Sequence, residues 1–249
     1  MSPVHSLRSR SRLVGLLAAV TASGITAGVV FVMSNQANAV SAPPGTACAA
    51  VHVITARAST ERPGEGITAA MVSRVVSTSK QTVSRASVDY PATLTDYARS
   101  SGQGITALRD QLTKQVQQCP NQKIVLAGYS QGAHVVLDVL GGGGGIGLGA
   151  ATPPLSAAVA SHVTAVATFG DPRHVPGQPF DLGTATRDGR FPRSAAQLKV
   201  LAGFADRIQA FCDARDTFCD SGVSTTVHLT YMNRYRDDAA KFVVGKVGG

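Results

Sequence analysis

One serine of the sequence has the neighbours of a nucleophile. Ser130 is the centre of Gly-Tyr-Ser-Gln-Gly at residues 128–132, which follows the apolar run 124–126 and precedes a second apolar stretch at 133–137. A serine at the tip of a strand-to-helix turn takes strained backbone angles, and the chain beside it has room only for glycine. An ordinary tight turn can have the same sequence, but the flanking apolar segments favour a nucleophile elbow, in which Ser130 lies exposed beyond the end of a strand.

The residue after this serine has a predicted role of its own. The backbone N–H of Gln131 starts the following helix, where the positive end of the helix dipole stabilises negative charge. An oxyanion formed when Ser130 attacks an ester would develop beside it. The polar loop 57–66 leaves an earlier strand-like segment, and a loop in that position is where a second oxyanion donor is expected.

A serine hydroxyl needs a neutral histidine to take its proton and an acid to orient the imidazole. In a fold of this kind, the acid and then the histidine follow the serine in the chain. The histidines that follow Ser130 are His134, His162, His174 and His228. The first is directed by the helix that carries it and the second precedes a strand. The base is therefore sought between the last two, which both follow strand-like segments.

A pair of cysteines helps to choose the acid. Cys212 and Cys219 enclose Asp216, and a small disulfide ring around a carboxylate would hold it as firmly as proton transfer requires. His228 follows at a distance suited to a returning loop. We therefore expect Asp216 and His228 to be the acid and the base.

Other acids stay open at this point. Asp171 with His174 is the competing pair. Asp213 and Asp220 also flank the ring, and spacing alone does not exclude them.

The cysteines of the chain are four in number: Cys48, Cys119, Cys212 and Cys219. An even number in an exported protein predicts two disulfides. Of the three possible pairings, the short separation favours Cys212 with Cys219, and therefore Cys48 with Cys119. A metal site is the alternative, but no C-x-x-C pair or His-Cys cluster supports it.

The sequence predicts no cofactor. The glycine-rich stretch 141–149 resembles a phosphate-binding loop only superficially, because it lacks the Gly-Lys-Ser/Thr ending and follows a helix. A flexible surface loop is expected there instead.

The first 39 residues are typical of an export signal. Arg8, Arg10 and Arg12 precede an uncharged, largely apolar stretch at 13–33, and Ala-Asn-Ala at 37–39 is a small-x-small cleavage site. Cleavage would leave residues 40–249 as one secreted catalytic domain, long enough to bury a substantial core. An uncleaved membrane anchor is the alternative, because the apolar stretch is long enough to cross a bilayer.

Charge argues against a nucleic-acid partner. Beyond residue 39, 20 Lys and Arg residues stand against 15 Asp and Glu residues, a net charge of +5. These basic residues are scattered rather than gathered into a run. We expect a monomer that acts on an ester substrate, without stable membrane association once the signal is removed.

Strand and helix patterns alternate along the rest of the chain. Besides the run before Ser130, strands are predicted at 51–56, 88–92, 163–169 and near 207–211, and helices at 67–81, 101–118 and 235–247. His52 lies in the first of these strands and is expected beside the core rather than in catalysis. This alternation predicts an α/β fold with a mainly parallel sheet and helices on both faces.

The chain resembles the cutinase and acetylxylan esterase family of serine esterases. The residues that carry the resemblance are Arg-Ala-Ser-Thr-Glu at 57–61, Gly-Tyr-Ser-Gln-Gly-Ala at 128–133, and the 212–219 ring with Asp216, followed by His228. The resemblance implies a small, lidless α/β-hydrolase with Ser130, Asp216 and His228 as nucleophile, acid and base. It also implies an oxyanion hole at Ser59 and Gln131, and it matches both disulfides.

The resemblance also bears on the substrate. Residues 170–180 and the glycine-rich stretch look like the acetylxylan esterase branch, which implies acetylated polysaccharide or other short acyl esters. Cleavage of cutin or other aliphatic polyesters is the alternative. A wall-binding or carbohydrate-binding module without turnover is an alternative of another class, and the intact Ser130, Asp216 and His228 argue against it.

Overall fold

The computed structural model describes residues 48–248. The strands are β1 (Val51–Ala56), β2 (Val83–Ser87), β3 (Lys123–Tyr129), β4 (Gly143–Gly145), β5 (Gly149–Thr152), β6 (Val163–Phe169), β7 (Asp181–Leu182) and β8 (Ile208–Phe211). The α-helices are α1 (Ala69–Thr78), α2 (Tyr97–Gln118), α3 (Gln131–Gly141), α4 (Ala157–Ala160), α5 (Ala195–Ala202), α6 (Thr225–Leu229) and α7 (Tyr231–Val247).

Six of these strands form one parallel sheet in the order β2-β1-β3-β6-β8-β7. In the centre of the sheet, Ala56 at the end of β1 is in register with Gly128 of β3, and Tyr129 of β3 is in register with Phe169 of β6. The carboxyl ends of the three central strands therefore meet at one edge of the sheet. The loops that leave those ends carry the predicted site residues.

The sheet is buried on both faces. Ile54, Leu126 and Val166 belong to one core cluster, which includes side chains of α2 and α3. Their strand neighbours, such as Val53 and Val125, belong to a second cluster that includes side chains of α1 and α7. This arrangement explains the nearly continuous apolar runs of the central strands, since successive side chains point to opposite faces. It confirms the predicted α/β architecture.

Two local predictions are wrong. Residues 88–92 form no strand; Val88, Tyr90 and Ala92 are buried, but the neighbouring segment Val83–Ser87 pairs with β1 instead. The glycine-rich stretch is expected from its sequence to be a flexible surface loop, but its strands β4 and β5 pair as a small antiparallel hairpin. A further difference is that α2 begins at Tyr97, capped by the Asp96 side chain, and so includes more residues than the predicted 101–118.

The predicted export signal at 1–39 and the predicted new N-terminus at Val40 lie outside the described residues. Within residues 48–248, no helix is both long and apolar enough to cross a membrane.

Candidate active site

Ser130 sits at the turn between β3 and α3. Its backbone has φ 54° and ψ −117°, a combination that side-chain-bearing residues rarely adopt. The turn is held by its N–H, which donates to the Phe169 carbonyl at 2.8 Å, and by its carbonyl, which accepts from the His134 N–H at 3.1 Å. Glycine is required beside it, because a Cβ atom on Gly128 would lie 2.5 Å from the Gly132 carbonyl oxygen. The local geometry is that of a nucleophile elbow.

Asp216 and His228 are hydrogen-bonded to each other. The Nδ1 atom of His228 lies 2.8 Å from Oδ2 and 3.1 Å from Oδ1 of Asp216, and both side chains are buried. The carboxylate can only accept, so Nδ1 carries the proton in this pair and Nε2 of the neutral ring is left as an acceptor. The ring can therefore take up a proton at Nε2.

The Asp216 carboxylate is held in its ionised form. Burial alone would raise its pKa, but the hydrogen bond and charge of His228 and two backbone N–H groups outweigh that effect, so the pKa is lowered. These N–H groups belong to Phe218 and Cys219 and donate to Oδ1 at 2.7 and 3.0 Å. Backbone N–H groups of the ring 212–219 thus hold the Asp216 carboxylate in place.

Contacts with the residue before the serine place His228 next to the elbow. The Tyr129 hydroxyl donates to the backbone carbonyl of His228, and the two rings meet edge to face with centroids 5.6 Å apart. Gly170 leaves space for the imidazole, since a Cβ atom there would lie 2.8 Å from its Nδ1. No hydrogen bond joins Ser130 Oγ to the ring within residues 48–248. Bonds of this kind commonly tighten only when substrate is present.

The two predicted oxyanion donors follow register-equivalent positions of neighbouring strands. Ser59 comes three residues after Ala56 of β1, and Gln131 comes three residues after Gly128 of β3, its partner in the sheet. In the described part of the chain, neither backbone N–H has a hydrogen-bond acceptor. Both are therefore free to bind an oxyanion.

The side chain of Gln131 anchors the start of α3. It is buried, its Nε2 donates to the Thr93 carbonyl at 3.2 Å, and its Oε1 accepts from Ser100 Oγ at 3.3 Å. The side chain is thus bonded to other groups and does not compete for the backbone N–H of Gln131.

Two charged residues that flank Ser59 shape the loop after β1. The Glu61 carboxylate accepts from the N–H groups of Ala58 and Ile67, both at 2.7 Å. Arg57 is buried, and its Nε donates to the Glu61 carbonyl at 3.0 Å. Sequence reasoning gave these two residues no role of their own. The sequence does contain a signal that could have indicated such a role: two charged residues, Arg57 and Glu61, enclose a short loop directly after the apolar strand β1.

The competing pair, Asp171 and His174, is not assembled. Asp171 forms an ion pair with Arg193 and accepts from the Arg173 N–H at 2.9 Å. The His174 ring instead has its Nδ1 3.7 Å from Asp181, and its buried Nε2 has no partner within the described residues. These side chains do not form an acid–base couple.

The other two acids near the ring also have different partners. Asp213 accepts from Arg234 at 2.9 Å and from Tyr235 at 2.8 Å. Asp220 accepts from the backbone N–H groups of Thr186 and Arg187 at 3.0 and 2.9 Å. Both acids fasten loops to the ring, and Asp216 is the one that is bonded to His228.

Sequence reasoning missed a buried ionic network beneath the site. Asp138 of α3 accepts from Arg193 at 2.9 Å, from Arg173, and from His134 at 3.0 Å. Burial would raise the pKa of Asp138, but the charges of His134, Arg193 and Arg173 and the hydrogen bond from His134 lower it to about 2. His134, one helical turn past Ser130, is thus a structural residue, with Tyr97 Oη 3.0 Å from its Nδ1.

The disulfides pair as predicted, Cys48 with Cys119 and Cys212 with Cys219. The second closes the ring around Asp216.

Comparison with known proteins agrees with this geometry. A family model described as Cutinase matches residues 47–247. Acetylxylan esterase of Hypocrea jecorina is 35% identical over 205 residues, covering 79% of this chain and 67% of that protein. Cutinase 11 of Verticillium dahliae is 33% identical over 209 residues, covering 80% and 70%. The catalytic core domain of acetyl xylan esterase from Trichoderma reesei aligns with a TM-score of 0.75 at 33% identity, covering 80% of this chain and 99% of that one.

Proposed function

The chain belongs to the cutinase family and is a carboxylic ester hydrolase, and on that premise we propose that Ser130, Asp216 and His228 are its nucleophile, acid and base. The observation that supports this assignment is the 2.8 Å bond between Nδ1 of His228 and Oδ2 of Asp216, beside a serine with elbow geometry.

In the proposed reaction, Ser130 Oγ attacks the ester carbonyl while Nε2 of His228 takes the hydroxyl proton. The carbonyl oxygen becomes an oxyanion, which accepts from the backbone N–H groups of Ser59 and Gln131. Collapse breaks the bond to the alcohol, which leaves with the proton from Nε2. Water then attacks the acyl-enzyme in the same way and releases the carboxylic acid. Asp216 stays ionised and stabilises the imidazolium formed in each half-reaction.

Three variants test the assignment. Ser130→Ala and His228→Ala should each lower kcat on p-nitrophenyl acetate by several orders of magnitude, because the triad acts as a unit. His174→Ala should retain turnover, since its ring is bonded to neither proposed partner. A serine-directed organophosphate should label the wild type at Ser130. A folded Ser130→Ala protein with more than a few per cent of wild-type activity would exclude this serine as the nucleophile.

For the substrate, we propose short acyl esters of an acetylated polysaccharide. The support is the relation to proteins named acetylxylan esterase at 35% and 33% identity. Cleavage of cutin or another polyester is the second candidate, supported by the relative named Cutinase 11. A hydrolysis profile from p-nitrophenyl acetate to palmitate, with acetylxylan and a polyester in parallel, separates them. A preference for long chains together with monomer release from cutin would favour the second candidate.

We also propose that residues 1–39 are an export signal and that residues 40–249 are the secreted domain, acting as a monomer. Two disulfides within residues 48–248 support an oxidising, extracytoplasmic compartment. N-terminal sequencing of the exported protein tests the cleavage, with Val40 expected as the first residue. Size-exclusion chromatography with light scattering tests the monomer.

A further inference from the structure

Tyr231 contacts the carboxylate oxygen of the proposed acid that the backbone donors do not bind. Its ring is fully buried at the start of α7. Its hydroxyl oxygen lies 2.9 Å from Asp216 Oδ2, 2.8 Å from the Asp213 backbone nitrogen and 3.3 Å from Cys219 Sγ. One phenol oxygen thus touches three members of the 212–219 ring.

The direction of these bonds follows from the available protons. The backbone N–H of Asp213 can only donate, and the sulfur of a disulfide has no proton, so the single phenolic proton is directed at Asp216. Burial and then the negative charge of Asp216 raise the pKa of Tyr231, so the hydroxyl keeps this proton at neutral pH. Tyr231 is therefore a constant donor to the carboxylate.

The two carboxylate oxygens have different partners. Oδ1 accepts from the backbone of Phe218 and Cys219, whereas Oδ2 accepts from Tyr231 and, at the shorter of its two distances, from His228. Rotation of the carboxylate would break bonds on both oxygens at once. The backbone of the ring can orient Oδ1, whereas Oδ2, the oxygen nearer to His228, has Tyr231 as its one donor besides His228 itself among residues 48–248.

We propose that Tyr231 is a positioning residue of the triad: its phenol fixes Oδ2 of Asp216 and withdraws charge from it, which sets both the orientation and the proton affinity of His228. This inference rests on the proposed function. The disulfide ring 212–219 is expected to hold Asp216 in position, and Tyr231 adds to this because it binds the carboxylate directly and connects it to the backbone of Asp213.

The surroundings of Tyr231 supply a matched control. The titratable and charged groups that face it are Asp216, Asp213, Arg234, whose guanidinium lies 4.8 Å from the ring centroid, and His228, whose ring centroid lies 6.4 Å away. Its other neighbours include the rings of Tyr129 and Tyr235. Tyr235 also donates to an acid of the ring, but to Asp213 rather than Asp216. Loss of its hydroxyl tests the same chemistry without touching the proposed triad.

The experiment compares Tyr231→Phe with Tyr235→Phe in the full chain. In Tyr231→Phe, kcat on p-nitrophenyl acetate should fall by roughly tenfold, with KM changed by less than about twofold, because a misplaced acid affects the transition state and not substrate binding. The acid limb of the kcat/KM profile should move to higher pH by about half a unit, because a carboxylate that loses a donor attracts the imidazole proton more strongly. Tyr235→Phe should match the wild type in both measurements.

A second variant covers the case in which Tyr231→Phe fails to fold. Replacing Tyr231 with 3-fluorotyrosine keeps its shape and makes the phenol a stronger donor, so the acid limb should move in the opposite direction, to lower pH. An unmoved acid limb in every variant that folds, including the 3-fluorotyrosine protein alone, overturns the proposal, even if stability falls. Organophosphate labelling of the wild type distinguishes failure of the proposed function from failure of the role proposed for Tyr231. Absence of a Ser130 adduct overturns the proposed function. An adduct together with an unchanged pH profile of Tyr231→Phe overturns only the role of Tyr231.

Discussion

Gly132 lies so close to Ala56 that a Cβ atom added to it would be 1.9 Å from the Ala56 carbonyl oxygen. This contact joins the first turn of α3 to the end of β1. The two proposed oxyanion donors, Ser59 and Gln131, follow these same two elements. Because Gly132 follows Gln131 directly, we expect the space available at Gly132 to affect the distance between the two proposed donors.

Gly132→Ala should consequently damage both stability and turnover. The added methyl group meets backbone, which cannot rotate away, so α3 must shift, and we expect a loss of about 3 kcal/mol or more in the free energy of unfolding. Gly245→Ala is the matched control, because Gly245 also lies in a helix but its Cβ would meet nothing within 4 Å. That variant should be neutral or more stable by up to about 1 kcal/mol. Urea unfolding and kcat measure both effects, and a Gly132→Ala protein as stable and active as the control would contradict the reading of this contact.

The central sheet could be predicted from sequence because its signals are local. Strands β1 and β6 were assigned with the bounds that the structure has, since both are apolar, β-branched runs between turn residues. The sequence does not predict the edge strand β2, because Val83–Ser87 is only half-buried and carries polar residues. The alternation of Val88, Tyr90 and Ala92 predicts a strand, but in the structure it reflects burial of a loop against the core. Pairing at a sheet edge depends on the neighbouring strand, which the segment itself does not encode.

Parts of the candidate site's geometry could be predicted from sequence for the same reason. The elbow has a local sequence motif, and the two cysteines that enclose Asp216 indicate that this acid is held in place. Tyr231 could not be found in this way, because its contact with Asp216 depends on how α7 packs against the ring. The ionic partners of Asp138 are likewise 35 and 55 residues away in the chain. Long-range polar contacts of this kind leave no periodic pattern.

Glu61 offers a test of the loop that presents Ser59. In Glu61→Gln, one of the two carboxylate oxygens becomes an amide donor and faces the N–H group of Ala58 or Ile67, so one hydrogen bond is lost and two donors oppose each other. We expect kcat to fall by about tenfold to a hundredfold with little change in KM, because the oxyanion exists only in the transition state. Glu65→Gln is the control, since the Glu65 carboxylate pairs with Arg85 and accepts from no backbone N–H group of residues 48–248. Equal kinetics for the two variants would show that the loop keeps its shape without Glu61.

The low pKa of Asp138 predicts a pH dependence of stability. Its folded pKa of about 2 lies below its ordinary value of 3.8. The stabilisation from its ionised form is therefore fully present above pH 4 and is lost as the pH falls through 2, by about 2 kcal/mol in total. Asp138→Asn should lack this part of the acid transition. At neutral pH it should be less stable by about 3–5 kcal/mol, because Arg173 and Arg193 lose a buried counter-charge.

The control for this prediction is Asp237→Asn, which removes the same charge from an exposed helix position. Thermal melts of the three proteins between pH 2 and 7 give the comparison. If Asp138→Asn and the wild type lose stability in parallel below pH 4, Asp138 is not the group responsible for that loss.

The two disulfides should differ in what they contribute. By loop entropy, the bond that closes residues 212–219 stabilises the fold by about 2.5 kcal/mol, and the bond across residues 48–119 by about 4.4 kcal/mol. The short ring is the weaker crosslink, but it contains Asp216 and the groups that hold its carboxylate in place. The Cys219 N–H donates to this carboxylate, and Tyr231 bonds both to the carboxylate and to the Asp213 N–H. Opening the 212–219 disulfide should therefore lower kcat more than opening the 48–119 disulfide does, although it should lower the free energy of unfolding less.

The test compares Cys212→Ser/Cys219→Ser with Cys48→Ser/Cys119→Ser, with kcat measured well below each Tm. The 48/119 variant should have the lower Tm and near-normal kcat, because its bridge lies at the opposite end of β1 and β3 from Ser130. The 212/219 variant should have the higher Tm of the two and a kcat reduced by roughly tenfold or more, since a freed Asp216 leaves His228 able to adopt the wrong tautomer. If kcat follows Tm in both variants, the bridges act only as crosslinks. A folded 212/219 variant with wild-type kcat would show that the N–H groups of Phe218 and Cys219, together with Tyr231, hold the acid without the bond.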